Sequence, residues 1–305
     1  MDIIPHHRSR GLKIALMSAV VFGIWPASMR GMYAEGGNAV FALLITTWVR
    51  ALALAGFCVM TRRLLFQTRT DTRNAITGGF AQAVAMLALC AALTLLPGPL
   101  VIIILFSHTL MLLFYMAWRG EVRLDRFTVL TTIVALAGLA LALDVIHAQS
   151  ASNITGYSLA FLAAIATVAR LYVYGHQTQA RHPIIVGAEN FLAAAAFTLP
   201  ALFFSVPHAP ASFVGYAYLL LGCMALTSGT FGMFYGISLM GSFRWSLFAK
   251  LEPLSTAFFS ALLLGETLKP VQYAGVAIVV SSLAFYQIMD RAHNKTARQQ
   301  SRRAV

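Results

Sequence analysis

Residues 245–287 read WSLFAKLEPLSTAFFSALLLGETLKPVQYAGVAIVVSSLAFYQ. Two apolar runs, each long enough to cross a bilayer, flank the turn Gly265-Glu266-Thr267-Leu268-Lys269-Pro270. Lys250, Glu252 and Pro253 interrupt the first run. Hydrocarbon offers no water to a stray charge or a freed carbonyl, so such residues mark a cavity or a pathway. The rest of the chain reads as a scaffold for this segment.

The composition agrees. Hydrophobic residues make up 59% of the 305 and charged residues only 10%, with a mean hydropathy of +0.76. A soluble domain carries about 25% charged residues, so this chain has too little polar surface to cover a globule. Its long apolar runs are those of spanning helices, not the roughly ten-residue alternating strands of an outer-membrane barrel. The net charge of +12 suggests nucleic acid only in a soluble protein; here the Arg residues lie in short loops and tails. Cys58, Cys90 and Cys223 are isolated inside apolar runs, with neither metal spacing nor a disulfide framework. No Gly-rich phosphate loop, H-E-x-x-H or G-x-S-x-G occurs. No cofactor or metal is therefore expected, and energy should come from a gradient or from exchange.

Ten apolar segments predict ten spans, at 12–30, 39–60, 75–96, 100–118, 127–146, 156–174, 183–204, 213–239, 245–264 and 271–289. The first, behind Arg8, Arg10 and Lys13, reads as an uncleaved helix. With both termini cytoplasmic, 17 basic residues fall inside, against Arg30 and Lys269 outside. Arg50, Arg170 and Lys250 remain within spans. The positive-inside rule then places the chain in an inner or plasma membrane, multi-pass, with both ends in the cytoplasm.

The chain also repeats. A shift of 145 residues puts Gly120-Glu121 on Gly265-Glu266, His108 on Pro253, and Leu112–Leu124 on Ala257–Lys269 without a gap. Each unit holds five spans, an odd number, so the second must be inverted, an arrangement typical of transporters. The expected units are a tail 1–11, a first repeat 12–146, a linker 147–155, a second repeat 156–289 and a basic tail 290–305.

The L-x-P run before L-G-E-x-L (251–253, 264–268), the Phe22-Gly23-Ile24-Trp25-Pro26 start and Trp48-Val49-Arg50-Ala51-Leu52 resemble an EamA-type transporter of the drug/metabolite transporter superfamily. At His108 the chain departs from that pattern, which has a Pro there. The resemblance implies an all-α integral membrane protein of ten helices in two inverted five-helix repeats. It further implies a secondary transporter that exports small metabolites such as amino acids, and no enzyme.

Several polar residues fall in the spans. Arg50, mid-span, reads as a clamp on a substrate carboxylate or as a tie between helices. Lys250 either binds an anion or snorkels to the inner face. Glu252 is deeper, on a shorter arm, and reads as a cavity or proton site. Pro253 has no N–H, which is expected to leave the Ala249 carbonyl without its helical donor and free to bind or to hinge. His108 titrates near working pH and reads as a substrate or proton site, or as an interhelix hydrogen bond. Glu189 and Asn190 read as a gate, as a partner for Arg50, or as a short path to water. Arg170 and Asp144 are expected to snorkel. Trp118 and Trp245 are assigned to the inner aromatic belt. Trp25 and Trp48 either face a ligand or pack, and Tyr172, Tyr174, Tyr235 and Phe106 are pocket candidates. The substrate-binding set is thus Arg50, His108, Lys250, Glu252, Pro253, Glu189, Trp25 and Trp48, with Glu252 and His108 as proton-coupling sites. The partners are a small-molecule substrate, the lipid bilayer and protons, with no nucleic acid. Multidrug efflux or import on the same fold, a membrane-embedded enzyme, and a solute sensor are the alternatives; the enzyme lacks any acid or Cys/His set at catalytic spacing.

Overall fold

A computed structural model describes residues 5–122, 124–147, 153–203, 205–265 and 269–303, with side chains from Ser9 to Asp290. Glu266-Thr267-Leu268 of the second Gly-Glu turn, Arg123, residues 148–152 of the expected linker, and the side chains of Arg8 and of the basic tail lie outside the described residues.

Helix boundaries follow local chemistry. Helices α1 (Pro5–Ala34), α2 (Ala39–Met60) and α3 (Arg69–Leu95) come first. The Asn38 side chain accepts from Phe41 N at the start of α2, and Thr68 with Asp71 closes a capping box on α3. These bonds satisfy N–H groups that a helix start leaves open. Next come α4 (Gly98–Phe106), α5 (His108–Trp118) and α6 (Arg126–Ala142). The second half holds α7 (Ile154–Ala180), α8 (Pro183–Thr198, extended by a 3-10 turn to Phe203) and α9 (Phe213–Met240). It ends with α10 (Ser242–Phe248), α11 (Leu251–Leu264) and α12 (Pro270–Arg303). Asn153 caps α7 and Ser212 caps α9. Among the described residues every regular element is helical.

Among the described residues, counting α4–α5 and α10–α11 as one each, nine helices are long and apolar enough to cross a membrane. The tenth, α6, has 17 residues, about 25 Å at 1.5 Å rise. The apolar run predicts a span that continues to residue 146. It stops sooner because Asp144 takes a left-handed φ of 53°. Its carboxylate is held there by Lys269 Nζ at 2.7 Å and by His147. Asp144 therefore caps an end of the bundle instead of snorkelling. A second correction concerns α7, which runs to Ala180, not to 174. No stop signal precedes Arg181-His182-Pro183.

The helices pair across the two halves of the chain. Helix α1 lies along α9 and α11, α3 along α7 and α8, α2 along α8, and α6 along α12. The α6–α12 contact is backbone on backbone: a Cβ at Gly275 would lie 2.6 Å from the Gly138 carbonyl oxygen. Small residues permit such approach between membrane helices. The outer faces are greasy; Trp118 (79% exposed), Phe213 and Leu262 point away from the bundle. Trp245 does not join this belt. It is buried and meets Phe22 edge-on with centroids 6.5 Å apart.

Candidate functional site

Two spans are broken at mid-depth, and most of the buried charge gathers there. The first break is at Ser107, between α4 and α5. Ser107 N bonds to Ile104 O at 3.1 Å, and Leu110 N and Met111 N both bond to Ser107 O. The Leu105 carbonyl is instead met by His108 Nδ1 at 2.7 Å. A carbonyl only accepts, so Nδ1 carries a proton and donates. No proline is needed for this break.

The second break, between α10 and α11, spans Ala249 and Lys250. Lys250 N bonds weakly to Leu247 O at 3.4 Å, and Glu252 N bonds to Ala249 O at 2.9 Å. The Ala249 carbonyl is thus not free. Pro253 withholds the donor one turn on, and the preceding N–H takes its place in a tighter turn. The two breaks adjoin: Thr109 Oγ1 donates to Ser246 O at 3.4 Å.

Charged groups from four helices converge on these breaks. Lys250 is 0% exposed and its Nζ has no hydrogen-bond partner. It lies within electrostatic reach of His108, which Arg170 of α7 also reaches. Arg170 donates to Gln82 Oε1 of α3 at 2.9 Å, while its Nε is buried without an acceptor. Arg170 in turn faces Glu252 and Tyr174 at electrostatic range. Glu252 is half-buried, and no described side chain donates a hydrogen bond to its carboxylate. Tyr174 is fully buried with an unpartnered hydroxyl.

Arg50 stands at the edge of this group, within reach of Tyr174 and Arg170. Its Nε donates to Thr46 O at 3.1 Å and its Nη2 to Thr47 Oγ1 at 3.4 Å. The guanidinium carbon sits 4.5 Å from the Phe191 ring centroid on α8. So its tie to another helix is a cation–π contact, not a carboxylate.

The structure therefore brings together His108, Lys250, Glu252 and Pro253, with Arg50 beside them. It sets Glu189 and Trp48 of the sequence-based set apart and packs Trp25 among apolar side chains. Glu189, 1% exposed, forms a forked pair with Arg181 and accepts from Phe66 N at 2.6 Å. Arg181 also meets Asp71 at 3.1 Å, so Glu189 knots the 61–68 loop to the start of α8. Its carboxylate holds the Arg181 guanidinium's pKa above the usual value. Neighbouring Asn190 donates to Gln177 Oε1 and Val186 O. Trp48, 36% exposed, is two residues from Arg50, hence on the opposite, outward face of α2. Trp25 packs between two apolar clusters, its Nε1 buried without an acceptor.

Arg170, Tyr174 and Gln82 are the residues sequence reasoning undervalued. Arg170 was expected to snorkel. With α7 running on to Ala180, it lies ten residues, about 15 Å of helix, from that end. The i, i+4 spacing of Arg170 and Tyr174 was visible, since both fall on one face of any helix that continues past 174.

Among the described residues no group of three or more His, Cys, Asp or Glu is placed to hold a metal. Residues 154–287 match the EamA-like transporter family, whose members are transporters and not enzymes. No curated protein matches the sequence. A crystal structure of a protein 16% identical to this chain superposes with a TM-score of 0.75, over 93% of this chain and 99% of that one. That likeness is one of fold.

Proposed function

We propose, from the EamA-like transporter domain that residues 154–287 form, that this multi-pass membrane transporter is a secondary exporter. It moves small organic metabolites such as amino acids by alternating access. Two five-helix units, 12–146 and 156–289, joined by 147–155 and flanked by tails 1–11 and 290–305, are related as inverted repeats. The packing supports this: α1 on α9 has its counterpart in α7 on α3, while α2 meets α8 and α6 meets α12. Gly120 and Gly265, 145 residues apart, both take left-handed φ, at 73° and 69°, a conformation glycine adopts without strain. Both copies of the fourth span are also broken. The bias of basic residues supports cytoplasmic termini and an inner-membrane location.

The observation that carries the reading is Lys250: a buried amine with no partner, at a helix break, facing His108. An unpaired buried charge is costly unless something else completes it, and a solute arriving between the two breaks would do so. Arg50 and Arg170 flank that solute. Glu252 or His108 carries the proton if export is proton-coupled. Counterflow in proteoliposomes, with amino acids preloaded and labelled uptake read with and without a pH gradient, tests this. Uptake that falls at least tenfold in Lys250→Ala and loses its response to the pH gradient in Glu252→Gln, with folded protein, is the expected outcome. Uptake untouched by both changes would remove those residues from the pathway. Stabilisation by a solute that never moves would make the protein a sensor.

A further inference from the structure

The charges around the two helix breaks do not balance. Arg50, Arg170 and Lys250 bring three cationic side chains to one interior region, and among the described residues the one carboxylate in electrostatic reach of any of them is Glu252, which reaches Arg170. The other acid buried within the bundle, Glu189, is spent on Arg181 and Phe66 N. The remaining described acids lie at the ends of the bundle, as with Glu35 against Ser212, Asp144 against Lys269 and Asp290 against Arg244. Inside a membrane protein no water or counter-ion atmosphere offsets the excess.

The hydrogen-bond inventory has the same sign. Lys250 Nζ, Arg170 Nε and the Tyr174 hydroxyl are buried and unpartnered, and the first two can only donate. Arg50 uses two of its donors, on Thr46 and Thr47, out of the five a guanidinium carries. The open valences in this region thus ask for acceptors. A cation would meet three like charges. A neutral zwitterion would leave the net charge as it found it.

We infer that the solute held between the two helix breaks is a small organic acid of net negative charge, its acidic groups met by Lys250 and Arg170. This rests on the transporter reading and narrows it: within the amino acids it selects the acidic ones, and it extends to dicarboxylates. Glu252 then sits where it repels a second acid group or receives an ammonium. That disposition separates acidic amino acids from simple dicarboxylates by affinity.

The test uses the purified full chain in detergent, with succinate, aspartate, leucine and tetraphenylphosphonium as probes of thermal stability. The same four solutes are then run in proteoliposome counterflow. Succinate and aspartate should raise Tm in a concentration-dependent way, and leucine and tetraphenylphosphonium should not. Glu252→Gln should bind succinate several-fold more tightly. Lys250→Met should bind it at least tenfold more weakly, while its ligand-free Tm stays at or above that of the parent. A Met there fills the volume without an unpaired charge, so a fold-breaking effect would not be mistaken for lost binding. Stabilisation by leucine or by the cation, with none by the acids, overturns the charge assignment. So does an unchanged succinate shift in Lys250→Met. Counterflow of leucine alone discards the net-anion class and leaves the transporter reading standing. No stabilisation and no counterflow by any of the four discards both.

Discussion

Lys250, Arg170 and Glu189 show how inward-placed charges can have opposite fates in the same bundle. Glu189 is buried with its charge fully met by Arg181, so its removal should cost stability and nothing else. Arg181 is left part-exposed and still paired with Asp71, so the cost falls below the about 3–5 kcal/mol of breaking a fully buried pair. Glu189→Gln is therefore expected to lower Tm by several degrees. The solute concentration for half-maximal counterflow should not change, and a shift in that concentration would put Glu189 back in the pathway. Arg50 is intermediate. Arg50→Lys keeps the charge but loses the flat face over Phe191, an interaction worth about 0.5–2 kcal/mol. An unfolding free energy from chemical denaturation lowered by that amount, with counterflow retained, is the expected result.

At the scale of elements, the broken spans divide rigid from movable parts. Helix α5, beyond the Ser107 break, is clasped to α7 at its far end. Tyr172 donates to Glu121 at 2.7 Å, His176 Nε2 lies 3.4 Å from the same carboxylate, and the Tyr115 and Tyr172 rings meet edge-on at 4.8 Å. Glu121→Ala removes two of these three contacts. Hydrogen exchange across 113–122 should then rise, with α3 and α8 unchanged; uniform exchange would mean that α5 is held elsewhere. The α6–α12 pair has no such give. Gly275→Leu would drive a side chain into the α6 backbone near Gly138 and Ala142. Overpacking of this kind costs about 1–3 kcal/mol or more, which should appear as a clear drop in Tm.

Across the whole molecule, the two ends are sealed by different chemistry. One end carries the Arg181–Glu189–Asp71 knot and the Arg244–Asp290 pair. The other carries Asn38 on Val206 and His208, Glu35 on Ser212, and Asp144 on Lys269 and His147. Lys269 first, then His147, hold the Asp144 carboxyl below its usual pKa. A carboxyl depressed in the folded state contributes stability above its unfolded pKa of about 3.9 and loses it as pH falls below that value. Asp144→Asn should therefore lower Tm slightly at pH 7 and flatten its decline below about pH 5. An unchanged acid limb would assign that decline to the other carboxylates.

Membrane residence, the helical class, the approximate spans and the break beside Pro253 were legible from the chain. They depend on local quantities: runs of apolar side chains and Pro at 253. The sequence misjudged Arg170 because its depth depends on where α7 ends, and it counted Glu189 and Trp48 in the site. A mid-span position says nothing about which way a side chain faces or who partners it. It also could not reveal that His108, without a proline, accompanies a break by capping Leu105. Adjacency across 140 residues arises only when helices pack. Length, hydropathy and local geometry are properties of the chain. Whether a buried charge is matched, as at Glu189, or left open, as at Lys250, is decided by the neighbours that folding brings.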